Sequence, residues 1–234
     1  MQKLVEKLLD ISAITHNEVA LKSALADLAG RFDFDGYGYA NLRPGEFYAV
    51  SNLNAEWQQR YANIDLRRRD PRVQQARRSG QAFAWAAESG QDARSRDGRK
   101  FYAEAAEFGI RSGITVPVAI SNGAISMLTF ASSRSSLKRE WKIDAVAAAS
   151  AVGQLHAHIE HLRVKPSVEA LAYLTPKEAT YARWLALGKT VEDAADIEQV
   201  KYNTVRIALA EVRRRYDLCN NTQLVAFAIR RGMI

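Results

Sequence analysis

The sequence has few of the features that mark secreted, disulfide-bonded or membrane-spanning proteins. It contains a single cysteine, Cys219, which cannot form an intrachain disulfide. No apolar run reaches the roughly 18 residues that a membrane-spanning helix needs. The first ten residues alternate charged side chains with leucine and valine, which is typical of an amphipathic helix and not of a signal peptide. We therefore expect a cytoplasmic protein without a membrane partner.

The sequence also lacks the short motifs of common enzyme classes. It has no G-x-S-x-G, P-loop or G-x-G-x-x-G motif, so it offers no nucleophile turn and no phosphate-binding loop. Three of its 4 histidines lie close together in a segment expected to be helical. His156 and His158 point about 200° apart on a helix, so only His158 and His161 share a face. We expect no catalytic residues and no metal site.

Positive charge is concentrated towards the end of the chain. The net charge is +7, and from Arg163 onward 12 Lys and Arg residues stand against 8 Asp and Glu residues. Within residues 201–216, five basic residues stand against Glu211 alone. A concentrated basic segment is typical of a protein that binds nucleic-acid phosphates, but most such runs are solvated helix faces. Charge alone leaves both interpretations open.

Two domains with different secondary structure are expected. The first, residues 1–163, combines helices and strands, and the second, residues 175–234, contains four short helices. The linker, residues 164–174, includes a proline that breaks the preceding helix. In the first domain, strands are expected near 36–42, 46–52, 81–86, 113–120 and 124–131, and helices near 2–12, 17–30, 54–62, 70–79, 99–108 and 139–163.

Both faces of the predicted sheet are apolar. In the hairpin around Asn122-Gly123, Ile125 and Met127 lie on one face, whereas Leu128 and Phe130 lie on the other. A sheet with two apolar faces is normally covered on both sides. We therefore expect an α+β protein, with an N-terminal α-β-α sandwich around an antiparallel five-stranded sheet and a C-terminal all-α four-helix domain.

The third C-terminal helix has one apolar face and one basic face. Val205, Leu209, Val212 and Tyr216 form an apolar stripe at helical spacing. The opposite face suits the major groove of DNA, as in helix-turn-helix domains, with Arg206 contacting guanine. An ordinary amphipathic surface helix has the same pattern. The candidate DNA-binding residues are Lys189, Lys201, Tyr202, Asn203, Thr204, Arg206 and Arg213.

Polar groups among apolar residues mark a candidate pocket in the first domain. Trp57 and Tyr61 share a helix face, Asp70 precedes a helix start, and Thr129 shares a strand face with apolar side chains. A buried carboxylate and hydroxyl need partners. One solution is internal, in which Asp70 caps its helix, Thr129 bonds backbone and the aromatic residues form ordinary core. The other is a ligand with an apolar tail and an amide head.

Two apolar stripes are candidates for a symmetric dimer interface. One lies on the long helix at 139–163, at 3-4-3 spacing, and packing of this helix on its own sheet is an equal alternative. The last helix offers a second stripe of Leu224, Ala228 and Ile229. The candidate dimerisation residues are Val152, Leu155, Ile159, Leu162, Leu224 and Ala228.

Motifs in the C-terminal domain give a family resemblance. Glu178-x8-Leu187-Gly188-Lys189-Thr190, followed by Asn203-Thr204-Val205-Arg206, resembles the helix-turn-helix signature of LuxR-type transcription factors. The first domain resembles their acyl-homoserine-lactone-sensing domain over its whole length. From end to end the chain is similar to the TraR branch, which regulates plasmid conjugal transfer. Two departures are Ala182, where the family has leucine, and Ala210, where the TraR branch has a basic residue.

The resemblance implies roles for the pocket residues. Trp57 would bind the carbonyl of the lactone ring, Asp70 the amide N–H, and Thr129 a 3-oxo group. Leu53 stands where the family has a tyrosine that bonds the amide carbonyl. The implied ligand is an N-acyl-homoserine lactone with a 3-oxo-octanoyl chain, without a cofactor. The candidate ligand-binding residues are Ala49, Leu53, Trp57, Tyr61, Asp70, Val73, Trp85, Phe101, Tyr102, Ile110, Gly113 and Thr129.

The resemblance therefore predicts a transcriptional activator in quorum sensing. Its small-molecule autoinducer is the lactone, and it binds a palindromic site in double-stranded DNA as a homodimer. RNA polymerase and an antiactivator protein are further candidate partners. Two alternatives stay open: a DNA-binding regulator that needs no ligand, and an enzyme that acts on lactones. The enzyme needs a nucleophile and a base, and the sequence offers no such pair.

Overall fold

The structure is a computed structural model that describes residues 2–62, 64–87, 95–120, 123–137, 144–168 and 172–234. The chain divides into two compact units: residues 1–43 with 47–170, and residues 171–234 with 44–46. In the described part of the chain, no helix has both the length and the apolarity needed to cross a bilayer.

The first unit combines helices and strands along the chain. The strands lie within two residues of the predicted positions, whereas the short helix α4 was not predicted. Asn122 of the predicted hairpin turn lies outside the described residues. The elements are α1 (Gln2–Ile14), α2 (Glu18–Arg31), β1 (Gly36–Arg43), β2 (Glu46–Ser51), α3 (Ala55–Ala62), α4 (Ile64–Arg69), α5 (Pro71–Ser79), β3 (Phe83–Ala86), α6 (Arg96–Glu107), β4 (Ser112–Ala119), β5 (Ile125–Ser132) and α7 (Ala145–His161).

The strands form one five-stranded sheet in the order β2-β1-β5-β4-β3. Strand β5 pairs antiparallel with both β1 and β4, and β4 pairs antiparallel with β3. In this register Thr129 lies opposite Thr115, and Gly113 lies opposite Trp85. The register therefore places the polar residues of three strands side by side.

Helices cover both faces of the sheet. Leu128 and Phe130 join a core with α1, α2 and α7. Ile125 and Met127 join a second core on the other face with residues of α3 to α6. The expected α-β-α sandwich with a sheet apolar on both faces is confirmed.

Helix α7 buries the stripe that was expected to form a dimer seam. Val152 and Leu155 are 0% exposed and Ile159 is 2% exposed, inside the core of their own unit. Leu162 is half-buried against the same core. Of the two alternatives for this stripe, the structure agrees with packing inside its own unit and not with an exposed seam, because α7 packs on α1 and on the sheet. The three fully buried side chains cannot meet a second copy while the unit is folded.

Residues 172–234 of the second unit have helices as their regular secondary structure, as expected. These helices are α8 (Pro176–Ala186), α9 (Val191–Ile197), α10 (Tyr202–Arg215) and α11 (Asn221–Arg230). Helices α8 and α9 begin with capping boxes, in which Thr175 and Thr190 accept from the N3 backbone N–H and the N3 carboxylate accepts in return. These caps fix where each helix begins.

The core of the second unit gathers apolar residues from all of these helices. Val205, Leu209 and Val212 of α10 are buried in it, and so is Ala182 of α8. Leu224 and Ala228 of α11 are fully buried in this unit. The expectation that these two α11 residues form a dimer seam is therefore also wrong, since their side chains face their own domain.

Candidate ligand cavity and nucleic-acid interface

A cavity of about 60 Å³ lies in the first unit, on the side of the sheet covered by α3 and α5. Its wall includes five of the predicted ligand-binding residues, together with residues that were not predicted, among them Gln58 and Arg72. A cavity of this size is several-fold smaller than the roughly 300–1,000 Å³ of typical ligand sites. Side chains must therefore part to admit a larger molecule. The predicted residues that line it are Ala49, Leu53, Trp57, Tyr61 and Thr129.

The other predicted ligand residues lie in the surrounding core. Val73, Trp85, Phe101, Tyr102 and Ile110 belong to the core cluster on this face of the sheet. The Trp85 ring lies against the backbone of Gly113, where an added Cβ would come 2.6 Å from Cζ2 of the indole. Gly113 thus makes room for the indole ring.

Asp70 lies behind the cavity wall and is fully buried. Its Oδ1 accepts from the backbone N–H and from Nε of Arg72, both at 2.9 Å. Its Oδ2 accepts from Nη2 of Arg72 at 2.8 Å and from the Tyr61 hydroxyl at 2.6 Å. These four bonds use the acceptor capacity of the carboxylate. Asp70 also caps α5, as the internal alternative expected.

Arg72 is the charged residue that sequence reasoning missed. It is 6% exposed, and its guanidinium carbon lies 4.9 Å from the Trp85 ring centroid and 5.0 Å from that of Phe101. Burial disfavours its charged form, but the Asp70 carboxylate raises the pKa of Arg72 above its usual value. Burial, together with Asp70, also raises the pKa of Tyr61 well above its ordinary value. The cluster is therefore a buried, hydrogen-bonded ion pair.

Side-chain hydrogen bonds connect β3, β4 and β5 beside the cavity. The indole Nε1 of Trp85 donates to Oγ1 of Thr115 at 3.1 Å, and the hydroxyls of Thr115 and Thr129 lie 2.9 Å apart. The internal alternative expected a backbone partner for Thr129, and the structure has the Thr115 side chain instead. Thr115 was not predicted, because its polar role appears only once the strand register is known.

Gln58 brings an unsatisfied acceptor to the cavity wall. Its Nε2 donates to the backbone oxygen of Leu53 at 2.7 Å. Its Oε1 is buried and has no hydrogen-bond partner among the described residues. A ligand that donates an N–H or an O–H there removes the cost of a buried unpaired acceptor, about 1–3 kcal/mol.

Two histidines of α7, His156 and His158, have hydrogen-bond partners in the first unit. Nδ1 of His156 lies 2.6 Å from the Tyr39 hydroxyl, and Nε2 of His158 lies 2.9 Å from the Thr15 hydroxyl. Burial lowers the pKa of His156. Within the described ranges, no group of three metal-binding side chains comes together.

Helix α10 in the second unit exposes most of the predicted DNA-binding residues. Asn203, Thr204 and Arg206 are exposed on the side opposite the buried stripe. The Nε of Arg206 donates to Oδ1 of Asn203 at 3.1 Å, so the two side chains hold each other on the surface. Lys201 is the N-cap, and its side chain makes no capping bond. The backbone N–H of Thr204 donates to the Lys201 carbonyl oxygen at 2.8 Å.

The remaining predicted DNA residues differ in exposure. Lys189 and Tyr202 are exposed, whereas Arg213 is half-buried, and its Nε is buried without a partner in the described part of the chain. Ile207, which sequence reasoning assigned no role, is 53% exposed beside Arg206. An apolar side chain there can contact a thymine methyl group. Ala210 is half-buried.

A buried ion pair joins α8 to α10. Nη2 and Nη1 of Arg215 donate to Oε1 and Oε2 of Glu178 at 2.7 and 3.0 Å. Glu178 also accepts from the backbone N–H of Thr175. Burial works against ionisation of this carboxyl, but the bonds from Arg215 and Thr175 lower its pKa. The pair fixes the orientation of α10 on its own domain.

Comparison with known proteins gives the family of the chain. Residues 17–162 match the family model of the autoinducer-binding domain. The transcriptional activator TraR of Agrobacterium vitis is 47% identical over 234 residues, and TraR of Rhizobium radiobacter is 45% identical over 234 residues. Each alignment covers 100% of both chains. The relatives are regulators and not enzymes, in agreement with the expectation that the chain is not an enzyme.

A solved structure supports the fold. The crystal structure of Escherichia coli SdiA aligns with a TM-score of 0.54 at 20% identity, covering 100% of this chain and 98% of SdiA. Together with the end-to-end identity to the two activators and the match over the first unit, this agrees with the resemblance inferred from sequence motifs. The chain therefore belongs to the TraR branch of the LuxR-type autoinducer-dependent transcriptional activators.

Proposed function

We propose that the first unit binds an N-acyl-homoserine lactone, with a 3-oxo-octanoyl chain, and that the second unit then binds a palindromic DNA site in a homodimer. The observation that carries the proposal is the cavity, because an apolar wall with a few polar groups suits a molecule with an apolar tail and a polar head. The polar groups on this wall include Arg72, Gln58 and Thr129.

Ligand binding and folding are coupled in this proposal. The cavity of about 60 Å³ is smaller than an eight-carbon acyl lactone, so the ligand parts the helices from the sheet and becomes part of the core. A ligand that binds only the folded state stabilises it by mass action, by about 2.7 kcal/mol at a concentration of 100 times Kd. The lactone therefore raises the population of folded activator.

We assign DNA recognition to α10 in the major groove. Arg206 reads a guanine and Asn203 an adenine or a phosphate, with their mutual hydrogen bond restricting both side chains before contact. Phosphate contacts come from residues around the start of α10 and from the turn between α8 and α9. These are Lys189, Lys201, Tyr202 and Thr204, with Arg213 at the far end of the helix.

The homodimer cannot use most of the predicted stripes, since Val152, Leu155, Ile159, Leu224 and Ala228 are buried, whereas Ile229 of the predicted α11 stripe is exposed. Large apolar side chains that are exposed on the same two helices are Val146 of α7, at 78%, and Ile229 of α11, at 56%. We assign the dimer contacts to the faces that carry these two residues. In such a dimer, the two copies of α10 reach half-sites about one DNA turn apart.

Family membership supports a proposal for the cellular role. We place the chain in the cytoplasm, where it regulates genes of plasmid conjugal transfer in response to the autoinducer. RNA polymerase is the proposed partner for activation, and an antiactivator protein is the proposed partner for its inhibition.

Ligand extraction tests the proposal at the cavity. Full-length protein is produced with and without N-(3-oxooctanoyl)-homoserine lactone in the medium, purified and extracted, and the extract is analysed by mass spectrometry. We expect about one intact lactone per chain and a higher soluble yield when the lactone is present. Equal yields and no extracted lactone would refute the sensing function. Recovery of ring-opened product in place of lactone would instead indicate an enzyme.

A further inference from the structure

The start of the linker crosses an edge of the sheet. Strand β2 is the first strand in the order β2-β1-β5-β4-β3, so one of its edges has no strand partner among the described residues. Residues 164–168 follow α7 and reach this edge. Val164 is buried in the core shared with α1, α2 and α7, whereas Val168 lines the ligand cavity on the other face of the sheet. The linker therefore passes from one face of the sheet to the other.

We propose that Val168 is a specificity-determining residue of the ligand site and that its side chain limits the length of the ligand's apolar chain. Ser167 acts as a positioning residue that holds Val168 against β2. This inference rests on the proposed lactone-binding function and specifies which lactones the site accepts.

Ser167 attaches the linker to β2 by three hydrogen bonds. Its backbone N–H donates to the carbonyl oxygen of Ala49 at 2.8 Å. Its Oγ accepts from the backbone N–H of Ser51 at 2.9 Å and donates to the carbonyl oxygen of Ser51 at 3.2 Å. Ala49 and Ser51 both line the cavity. The residue before Val168 is therefore bound directly to the cavity wall.

Hydrogen bonds also fix the linker before it reaches Ser167. The Tyr48 hydroxyl donates to the carbonyl oxygen of Val164 at 2.7 Å. The backbone N–H of Lys165 donates to Oε2 of Glu18 at 3.2 Å, and Nζ of Lys22 donates to the Lys165 carbonyl oxygen at 3.3 Å. Contacts from β2 and α2 thus determine the path that brings Val168 to the cavity.

The part of the wall around Val168 suits an apolar chain. Val168 is 6% exposed, and Phe47 and Ala49 of β2 line the same cavity. The Ser51 hydroxyl, which also lies here, already donates to a backbone carbonyl of β1 at 2.8 Å. Thr129 lies on β5, two strands from β2 and so roughly 10 Å away across the sheet. The β2 edge of the cavity therefore fits the end of an acyl chain, and the region of Thr129 fits polar groups.

A competition experiment tests the role of Val168. Full-length protein is produced in medium with equal concentrations of the N-(3-oxohexanoyl), N-(3-oxooctanoyl) and N-(3-oxodecanoyl) homoserine lactones, and the bound amounts are measured by mass spectrometry after purification. Val168→Ala removes two methyl groups from the wall and should raise the ratio of bound decanoyl to octanoyl compound about tenfold. Val168→Ile adds one carbon and should raise the ratio of hexanoyl to octanoyl compound at least about threefold.

The linker itself offers a matched control. Val164→Ala is the same substitution at a side chain that is 4% exposed, in the core on the opposite face of the sheet. Its ratios should stay within threefold of the wild type, because Val164 does not line the cavity. Ser167→Ala removes both hydroxyl bonds to Ser51 and should shift the ratios in the same direction as Val168→Ala. An unchanged ratio in Ser167→Ala would overturn its positioning role.

The outcomes separate this inference from the function on which it rests. A decanoyl-to-octanoyl ratio in Val168→Ala within threefold of the wild type overturns the inference, and so does an equal shift in Val164→Ala. If Val168→Ala yields no folded protein, Val168→Ile decides, and an unchanged hexanoyl-to-octanoyl ratio overturns the inference. A wild type that holds none of the three lactones overturns the proposed function as well.

Discussion

The carboxylate of Asp70 accepts four hydrogen bonds from only two residues, three from Arg72 and one from Tyr61. At the scale of the residue, this cluster is stable because every charge in it is paired. Removing one member leaves the other charge buried without compensation, which is more costly than removing both.

We therefore predict that Arg72→Met lowers the free energy of unfolding of the first unit by about 3–5 kcal/mol. Chemical denaturation of the lactone-saturated full chain measures this loss. The matched control is Arg72→Met combined with Asp70→Asn, which should recover most of the stability. A single variant as stable as the wild type would show that the ion pair is not buried in solution.

A second prediction at this scale concerns base recognition. Arg206→Ala should weaken binding to the specific DNA site by about 1–3 kcal/mol and relax the base preference at one position. Arg214→Ala is the matched control, because Arg214 lies exposed on the same helix, paired with Glu211. Binding assays over a set of single-base operator variants give both quantities. A uniform loss on every sequence would make Arg206 a phosphate contact.

The sequence allowed some of these residue roles to be predicted and hid others. Asp70 as a helix cap and the face of Thr129 follow from local patterns, and both agree with the structure. The burial of Arg72 does not follow, since arginine is almost never fully buried unless it is paired. Its pairing depends on how α5 packs on the sheet. Thr115 became relevant only through the register of β4 and β5.

At the scale of the element, α7 shows what a regular apolar stripe means. Its 3-4-3 spacing predicts correctly that one helix face is buried, but the spacing is the same for a dimer seam and for a core. The structure places this face in the core of its own unit. Helix α4 was missed because its six residues, Ile-Asp-Leu-Arg-Arg-Arg, are too few to establish a period.

Leu155→Ala tests the assignment of the α7 stripe to the core. Because Leu155 is 0% exposed, the substitution should lower the stability of the first unit by about 2–5 kcal/mol. Among molecules that stay folded, the dimer dissociation constant should not change. Val146→Ala, on the exposed face of α7 to which we assign dimer contacts, should change the stability of the isolated first unit by less than about 0.5 kcal/mol but should raise the dimer dissociation constant. Denaturation measures the stability, and sedimentation measures the dimer dissociation constant. A Leu155→Ala variant that weakened the dimer and left the stability unchanged would show that the stripe is a dimer seam.

The ion pair between α8 and α10 predicts a pH dependence. The pKa of Glu178 is lowered from 4.5 in the folded state, so its contribution to stability is fully present above about pH 4.5. That contribution is lost as the pH falls through the lower, folded-state pKa. Glu178→Gln should therefore lower stability by about 1–3 kcal/mol at pH 7 and by progressively less in acid.

Amide hydrogen exchange in α8 and α10 of the full chain measures this difference as a function of pH. Glu192→Gln, at an exposed position of α9, is the matched control and should have little effect at any pH. A difference between wild type and Glu178→Gln that stays constant down to pH 3 would contradict the assigned role of the ion pair.

At the scale of the whole molecule, the proposed function couples a core that the ligand completes to a helix that binds DNA. The α-β-α architecture and the four-helix domain were predictable, because both depend on periodic burial that is visible in the sequence. The full set of residues that line the cavity was not predictable, since it depends on how side chains from several elements pack together. In the proposed mechanism, the lactone acts on DNA binding by raising the population of folded chain that can dimerise.

The affinity of the full-length chain for a duplex selected from a random pool, measured with and without N-(3-oxooctanoyl)-homoserine lactone, tests this account most directly. We predict that the lactone-loaded protein binds the selected duplex at least about 1,000-fold more tightly than random duplex at the same salt concentration. Protein prepared without lactone should give little specific complex. A lactone-loaded protein that binds selected and random duplexes equally would contradict the account.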